Sequence, residues 1–206
     1  MEDVLETYKK PYDPMRPVVC LDETNRQLIG EKILPIPAAP GSPMRYDYEY
    51  VRNGVANIFM MFEPLACRRY IAVTDTRTRI DFASQLYDLS EKYYPHAEKI
   101  ILVMDNLNTH SLASLYEVFE PAEARRLAER FEIHYTPIHA SWLNIAEIEI
   151  GIMIRQCLDR RFSSKEEMSK QLSAWMHQRN SSCYSVNWQF TTTDARIKLK
   201  SLYPKI

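Results

Sequence analysis

Apolar residues along this chain fall into two rhythms. Short, nearly unbroken runs of the kind that form buried strands occupy residues 16–24 (RPVVCLDET), 54–62 (GVANIFMMF), 68–74 (RRYIAVT), 99–105 (KIILVMD) and 132–137 (EIHYTP). In KIILVMD the apolar positions are consecutive, the pattern of a strand covered on both faces. Spacings of three and four mark helices instead. Ile80, Phe82, Ala83, Leu86, Leu89 and Tyr93 recur in this way across residues 78–94, and Pro95 stops the helix. Residues 112–119 and 122–131 read as two helical pieces split by Pro121, and residues 143–161 and 165–178 as longer helices. Asn144 is a candidate cap for the first of these, and Ser163 or Ser164 for the second.

Between these elements, residues 35–43 (PIPAAPGSP) form a proline-rich loop that no helix interior could hold. The short Pro64–Ala66 stretch makes residues 54–62 and 68–74 a hairpin. Residues 1–15 are expected to be a loose N-terminal arm, and residues 16–206 one domain. The order is strand, hairpin, helix, strand, helices, strand, long helices. It predicts an α/β fold with a mixed sheet flanked by helices. With only four glycines, the chain has no glycine-rich loop to cradle a nucleotide.

Composition narrows this picture only slightly. At 206 residues, 46% hydrophobic and 26% charged, the chain is ordinary for a globular protein. It has no apolar run long enough to span a membrane and no secretory pattern at MEDVLETYKKPYDP, so a cytoplasmic location is expected. Cys20, Cys67, Cys157 and Cys183 form no CxxC pair and are expected to be reduced thiols. The net charge of −1 argues weakly against a nucleic-acid partner, but its distribution matters more. Residues 151–206 hold 10 Lys and Arg against 4 Asp and Glu, leaving the remainder acidic. That division suits metal-dependent work on a polyanion, although a basic solvated helical face would look the same.

Three acids stand where a sheet-based site would place them. Asp22 is read as ending the first strand. Asp105 ends the KIILVMD strand and is followed by Asn106, Leu107, Asn108, Thr109 and His110. Glu147 lies one turn into the helix that begins SWLNIAEIE. A carboxylate at the end of a buried strand needs compensation, and hard divalent cations supply it. Two Mg²⁺ (or Mn²⁺) ions held by Asp22, Asp105 and Glu147 would support phosphodiester cleavage, with Asp22 bridging both. Two of the acids also have a bland reading: a turn cap for Asp22, a solvent-facing helical residue for Glu147. On α-helical spacing, Ile145, Ile148 and Ile152 set the buried face, with Glu147 beside it. Glu23 and Glu149 are neighbours easily mistaken for ligands, and His110 could orient a phosphate or simply make a structural hydrogen bond. Trp142, Trp175 and Trp188 read as packing residues.

The stretches VVCLDET, DNLNTH and YTPIHASWLNIAEIE resemble the DDE endonuclease domain of bacterial insertion-sequence transposases of the mariner-like superfamily. So do DYEYVRNGVANIFMMFEP, AEARRLAERFEIHYTP, RQCLDRRF and NWQFTTTDARIKLKSLYP. The resemblance runs from about Arg16 to the C-terminus. It implies a ribonuclease-H-like fold, catalytic acids at Asp22, Asp105 and Glu147, two divalent ions, and DNA transposition by cleavage and strand transfer. It also implies DNA and a second copy of the chain as partners. Asn108, His110, Arg155, Arg160, Arg161 and Lys198 are candidate DNA contacts. Three departures accompany it. No helix-turn-helix region of the usual size is expected before Asp22. The 41 residues between Asp105 and Glu147 exceed the shortest spacing in the superfamily. Ile138 and Ala140 stand where a Lys and a Gly are usual. The alternative reading is a silent or purely hydrolytic remnant that binds DNA or a full-length transposase.

Overall fold

The computed structural model describes residues 1–138 and 140–203. Five strands form one mixed sheet in the order β3-β2-β1-β4-β5, with β1 spanning Val18–Glu31, β2 Tyr50–Glu63, β3 Arg68–Thr74, β4 Ile100–Met104 and β5 Phe131–Tyr135. The first three form an antiparallel meander, and β4 and β5 add in parallel to the free edge of β1. Strand β1 is therefore central, and the residues of β4 are buried throughout, as an uninterrupted IILVM run requires.

Both faces of the sheet are covered. On one face, α4 (Ile145–Gln156) and α5 (Lys165–Ser181) pack over alternate residues such as Cys20, Ile58, Met60, Ile101 and Val103. On the other, α2 (Arg79–Tyr87) and α3 (Pro121–Ala128) cover Val19, Leu21, Leu102 and Met104. Side chains of successive strand residues point to opposite faces, so each strand feeds two cores. Thr78 caps α2 through a reciprocal arrangement with Asp81, and a π-helical segment Asp88–Tyr93 carries the chain on toward Pro95. Pro121 opens α3 at a first-turn position, where its missing N–H leaves no partner unsatisfied. Ser164 caps α5.

Several expectations are corrected. The N-terminal segment is not loose: Glu2–Tyr8 forms α1, which buries Val4 and Leu5 in the core and lies against α6 (Thr192–Lys198). Strand β1 does not stop at Thr24, so Asp22 lies within the strand, not at its end. The strand continues to Glu31 because the polar half, TNRQLIGE, pairs with the first half of β2, whose residues Tyr50–Val55 are exposed. Helix α4 ends at Gln156, short of residue 161, with Cys157 as its C-cap. Its buried stripe is Ile145, Ala146, Glu149, Ile150 and Met153; Ile148 is 38% exposed. In IAEIEIGIMI nearly every position is apolar, so spacing alone could not choose the inward face. Two thiols are also not free. Cys67, in the β2–β3 turn, and Cys183, just past α5, form a disulfide across 116 residues; each holds a left-handed backbone conformation. Cys20 and Cys157 are free. Among the described residues, no helix is long and apolar enough to cross a membrane.

Candidate active site

The parallel pairing of β1 with β4 brings two of the three acids together. Cys20 faces Val103 in the last paired couple. Asp22 and Asp105 each lie two residues further along, on the same face as that couple, just where β4 gives way to loop. Helix α4 crosses this end of β1. Asn144 places it there: one side-chain atom accepts from the N–H of Ala146 and closes the first turn. The amide nitrogen donates to the Leu21 carbonyl at 2.7 Å and approaches Asp22 Oδ2 at 3.4 Å. Tyr8 of α1 adds a second tie, donating to the Leu143 carbonyl at 2.8 Å and accepting from the Ile145 N–H at 3.3 Å. Glu147 therefore emerges half-buried from the first turn of a helix fixed at its start.

Electrostatics register the convergence. Burial pushes the Asp22 carboxyl up to about 7; the Glu23 N–H opposes this, and the charges of Glu23, Asp105 and Glu147 add to it. Asp105 moves the other way. A hydrogen bond from His110 holds its carboxyl below the usual range, against the effect of burial. His110 is 3% exposed, with Nδ1 2.6 Å from Asp105 Oδ1 and Nε2 3.0 Å from Glu23 Oε2. The second approach is close but poorly aligned, and neither Nε2 nor Glu23 Oε2 has another partner. Burial would depress the imidazole, yet Asp105 and Glu23 push it up to about 9, so it carries a positive charge at neutral pH. The ring lies against Phe82, with centroids 4.8 Å apart.

The donor set suits a hard divalent cation. Asp22 is almost fully buried, and among the described residues no Lys or Arg pairs with it; its neighbours are further carboxylates. Nevertheless, among the described residues no three of the Asp, Glu, His and Cys side chains are arranged to hold one ion. Asp105 is paired with the His110 ring.

Of the other candidates, His110 gathers here and the basic residues do not. Asn108 is exposed in the loop after Asp105. His110 is buried between the carboxylates of Asp105 and Glu23. Arg155 lies in the last turn of α4, exposed. Arg160 and Arg161 follow that helix and line a cleft of about 480 Å³ with Arg26 and Tyr46, at the opposite end of α4 from Glu147. Arg161 pairs with Glu31 at 2.9 Å, and Arg160 lies over the Phe162 ring. Lys198 ends α6, 3.4 Å from Asp194. Lys205 of the basic segment and His139 lie outside the described residues. Of the unusual pair, Ile138 is 76% exposed and Ala140 buried. Sequence reasoning missed Glu23, Tyr8 and Asn144 as a connected frame for the acids. The Asn144 cap was the one legible part of it.

The fold is shared with solved transposase structures. The Mos1 mariner paired end complex with Mn superposes with a TM-score of 0.59 at 19% identity, over 88% of this chain and 54% of that one. The Mos1 Strand Transfer Complex gives 0.56 at 16%, over 87% and 56%. The pre-cleavage Mos1 transpososome gives 0.54 at 16%, over 90% and 60%. This chain thus has the ribonuclease-H-like fold and spans a little over half the length of those it matches. No curated protein sequence matches it. Residues 17–169, which contain all three acids, match the family model described as DDE superfamily endonuclease, and the chain belongs to that family.

Proposed function

We propose that this chain is the catalytic part of a mariner-like transposase that cuts DNA phosphodiesters and joins the exposed 3′ ends to target DNA, with Asp22, Asp105 and Glu147 as its catalytic acids. The observation that supports this reading is the placement of the acids: Asp22 and Asp105 each lie two residues past the last β1–β4 couple, and Glu147 lies in the first turn of a helix that Asn144 ties to the same strand. Divalent Mg²⁺ or Mn²⁺, held by the three carboxylates, would supply charge neutralisation at the scissile phosphate and a more acidic water. The chain's own residues do the rest. Strand β1 presents Asp22 from the rigid centre of the sheet. Asn144 and Tyr8 fix the start of the helix that carries Glu147. His110 and Glu23 steady Asp105 from behind.

DNA is the proposed substrate, and two copies of the chain on DNA the proposed assembly. The Mos1 relatives were captured as paired end and strand transfer complexes, which supports both proposals by analogy. Nicking of element-end DNA should require Mg²⁺ or Mn²⁺ and should disappear in Asp105→Asn. Equal cutting by that variant would overturn the assignment of Asp105. A joining assay with precut ends separates a transposase, which yields joined product, from a pure hydrolase, which yields none.

A further inference from the structure

A second concentration of buried charge lies on the far side of α4. Arg69 of β3, Glu149 of α4 and Arg179 of α5 have side chains 0%, 0% and 11% exposed. Arg69 Nε donates to Glu149 Oε1 at 2.5 Å and Arg179 Nε donates to the same oxygen at 2.7 Å, while Arg179 Nη2 reaches Oε2 at 3.2 Å. Arg69 also donates to the carbonyls of Cys67 and Tyr184. Asn180 of α5 accepts from the Arg69 N–H and donates to its carbonyl. One carboxylate thus ties α4 to both β3 and α5.

Such a triad is a poor way to gain stability. Desolvating three ions offsets most of their attraction, and apolar replacements of similar volume often hold elements together as well. What guanidinium pairs add is direction, because each fork accepts a carboxylate only in a restricted plane. Direction matters here because of where Glu149 sits. Helix α4 lies over β1 and β2. In the sheet, β3 is beyond β2 on one side and β4 beyond β1 on the other. Glu149 reaches toward β3. Glu147, two residues earlier, projects about 200° around the helix, away from β3. A roll of the helix by about 20° would swing the Glu147 carboxylate on the order of 2 Å, well outside the roughly 0.5 Å that a functional constellation tolerates. Asn144 and Tyr8 both tie the helix at its start, and an anchor further along is needed to set its roll.

We infer that the Arg69–Glu149–Arg179 triad is a positioning device that fixes the roll of α4 and so aims Glu147 at Asp22 and Asp105. The inference rests on the reading of those three acids as the ion-holding site.

The test is Mn²⁺ binding to the full chain by calorimetry, with the wild type, Glu149→Gln, Arg179→Lys and Leu172→Ala. The last variant loosens α5 through the apolar core and leaves the triad intact. Glu149→Gln is expected to weaken Mn²⁺ binding by about 10-fold or more, as loss of an outer support does. Arg179→Lys, which keeps the charge but not the fork, should fall between it and the wild type. Leu172→Ala, although lower in Tm, should bind as the wild type does. Should Glu149→Gln fail to fold, Arg179→Lys decides. Wild-type affinity in the triad variants, or equal weakening in Leu172→Ala, would overturn the positioning role. A wild type that binds no Mn²⁺ would instead overturn the metal reading itself.

Discussion

Asn144 holds Leu21 and its own helix at once: its amide nitrogen donates to the Leu21 carbonyl at 2.7 Å while its side-chain oxygen caps the first turn of α4. The residue after Leu21 is Asp22, and Glu147 lies three residues beyond Asn144. This side chain therefore links the strand that carries one proposed catalytic acid to the helix that carries another. Asn144→Ala removes a cap, worth about 1 kcal/mol, and leaves a buried carbonyl without a donor, worth about 1–3 kcal/mol more. Urea unfolding should show a loss in that range, accompanied by a larger fall in cleavage than in DNA affinity. Asn144→Asp keeps the cap acceptor but loses the donor and adds a carboxylate beside Asp22. Its expected signature is a greater stability loss in EDTA than in Mn²⁺. Equal stability of Asn144→Asp and the wild type in EDTA would remove the bridging role.

The sequence showed what depends on local pattern. The five-residue apolar run of β4, the hairpin around Pro64–Ala66, Pro121 at a helix start and the caps at Asn144 and Ser164 all declare themselves within a few residues. So did the position of Asp105 just past β4, because a polar residue following a buried run is conspicuous; the same rule wrongly put Asp22 at a strand end. What stayed hidden depends on partners distant in sequence. The polar half of β1 reads as loop until β2 pairs with it. Glu149 looks like any helical acid until Arg69, 80 residues away, and Arg179 neutralise it. The Cys67–Cys183 bond spans 116 residues and has no local signature. Helix α1 is too short to announce itself and is held by tertiary contacts with the core.

His110 tests whether Asp105 needs support from behind. Its imidazolium lies buried between Asp105 and Glu23. His110→Ala leaves Asp105 without its cation and Glu23 with only Arg77, 3.9 Å away. Loss of such an outer partner typically lowers metal affinity or activity by about 10- to 100-fold. DNA affinity and its salt dependence should stay as in the wild type, because a buried ring neutralises no phosphate. A shallower salt slope in the variant would mean that His110 does reach the nucleic acid.

The disulfide can be checked by chemistry and by heat. Alkylation of the unfolded, unreduced protein should label two cysteines, Cys20 and Cys157, and leave Cys67 and Cys183 intact. Closing a loop of 116 residues constrains the unfolded chain strongly, and native disulfides typically contribute about 2–4 kcal/mol. At about 2–4 °C per kcal/mol for a chain of this size, reduction should lower Tm by roughly 5–15 °C. Four labelled cysteines before reduction would show that the bond does not form.

Asp22 should make the ion-free protein sensitive to pH in a definable direction. Its folded carboxyl titrates near 7, above the ordinary 3.8. The folded state therefore binds the proton more tightly than the unfolded chain does. Stability from this group is present below about pH 4 and is lost as pH rises through 7. Asp22→Asn is neutral at every pH and escapes that loss. In EDTA, the variant's Tm should exceed the wild type's at pH 8, and the gap should shrink steadily toward pH 5. Other titrating groups are common to both proteins, so the difference isolates Asp22 and its immediate neighbours. Adding Mn²⁺ at pH 8 should reverse the order, because the cation replaces the proton only where a carboxylate can receive it. A Tm difference that is flat with pH in EDTA would mean that Asp22 is well solvated and its charge uncrowded. The principal electrostatic argument for a cation at this sheet edge would then be lost.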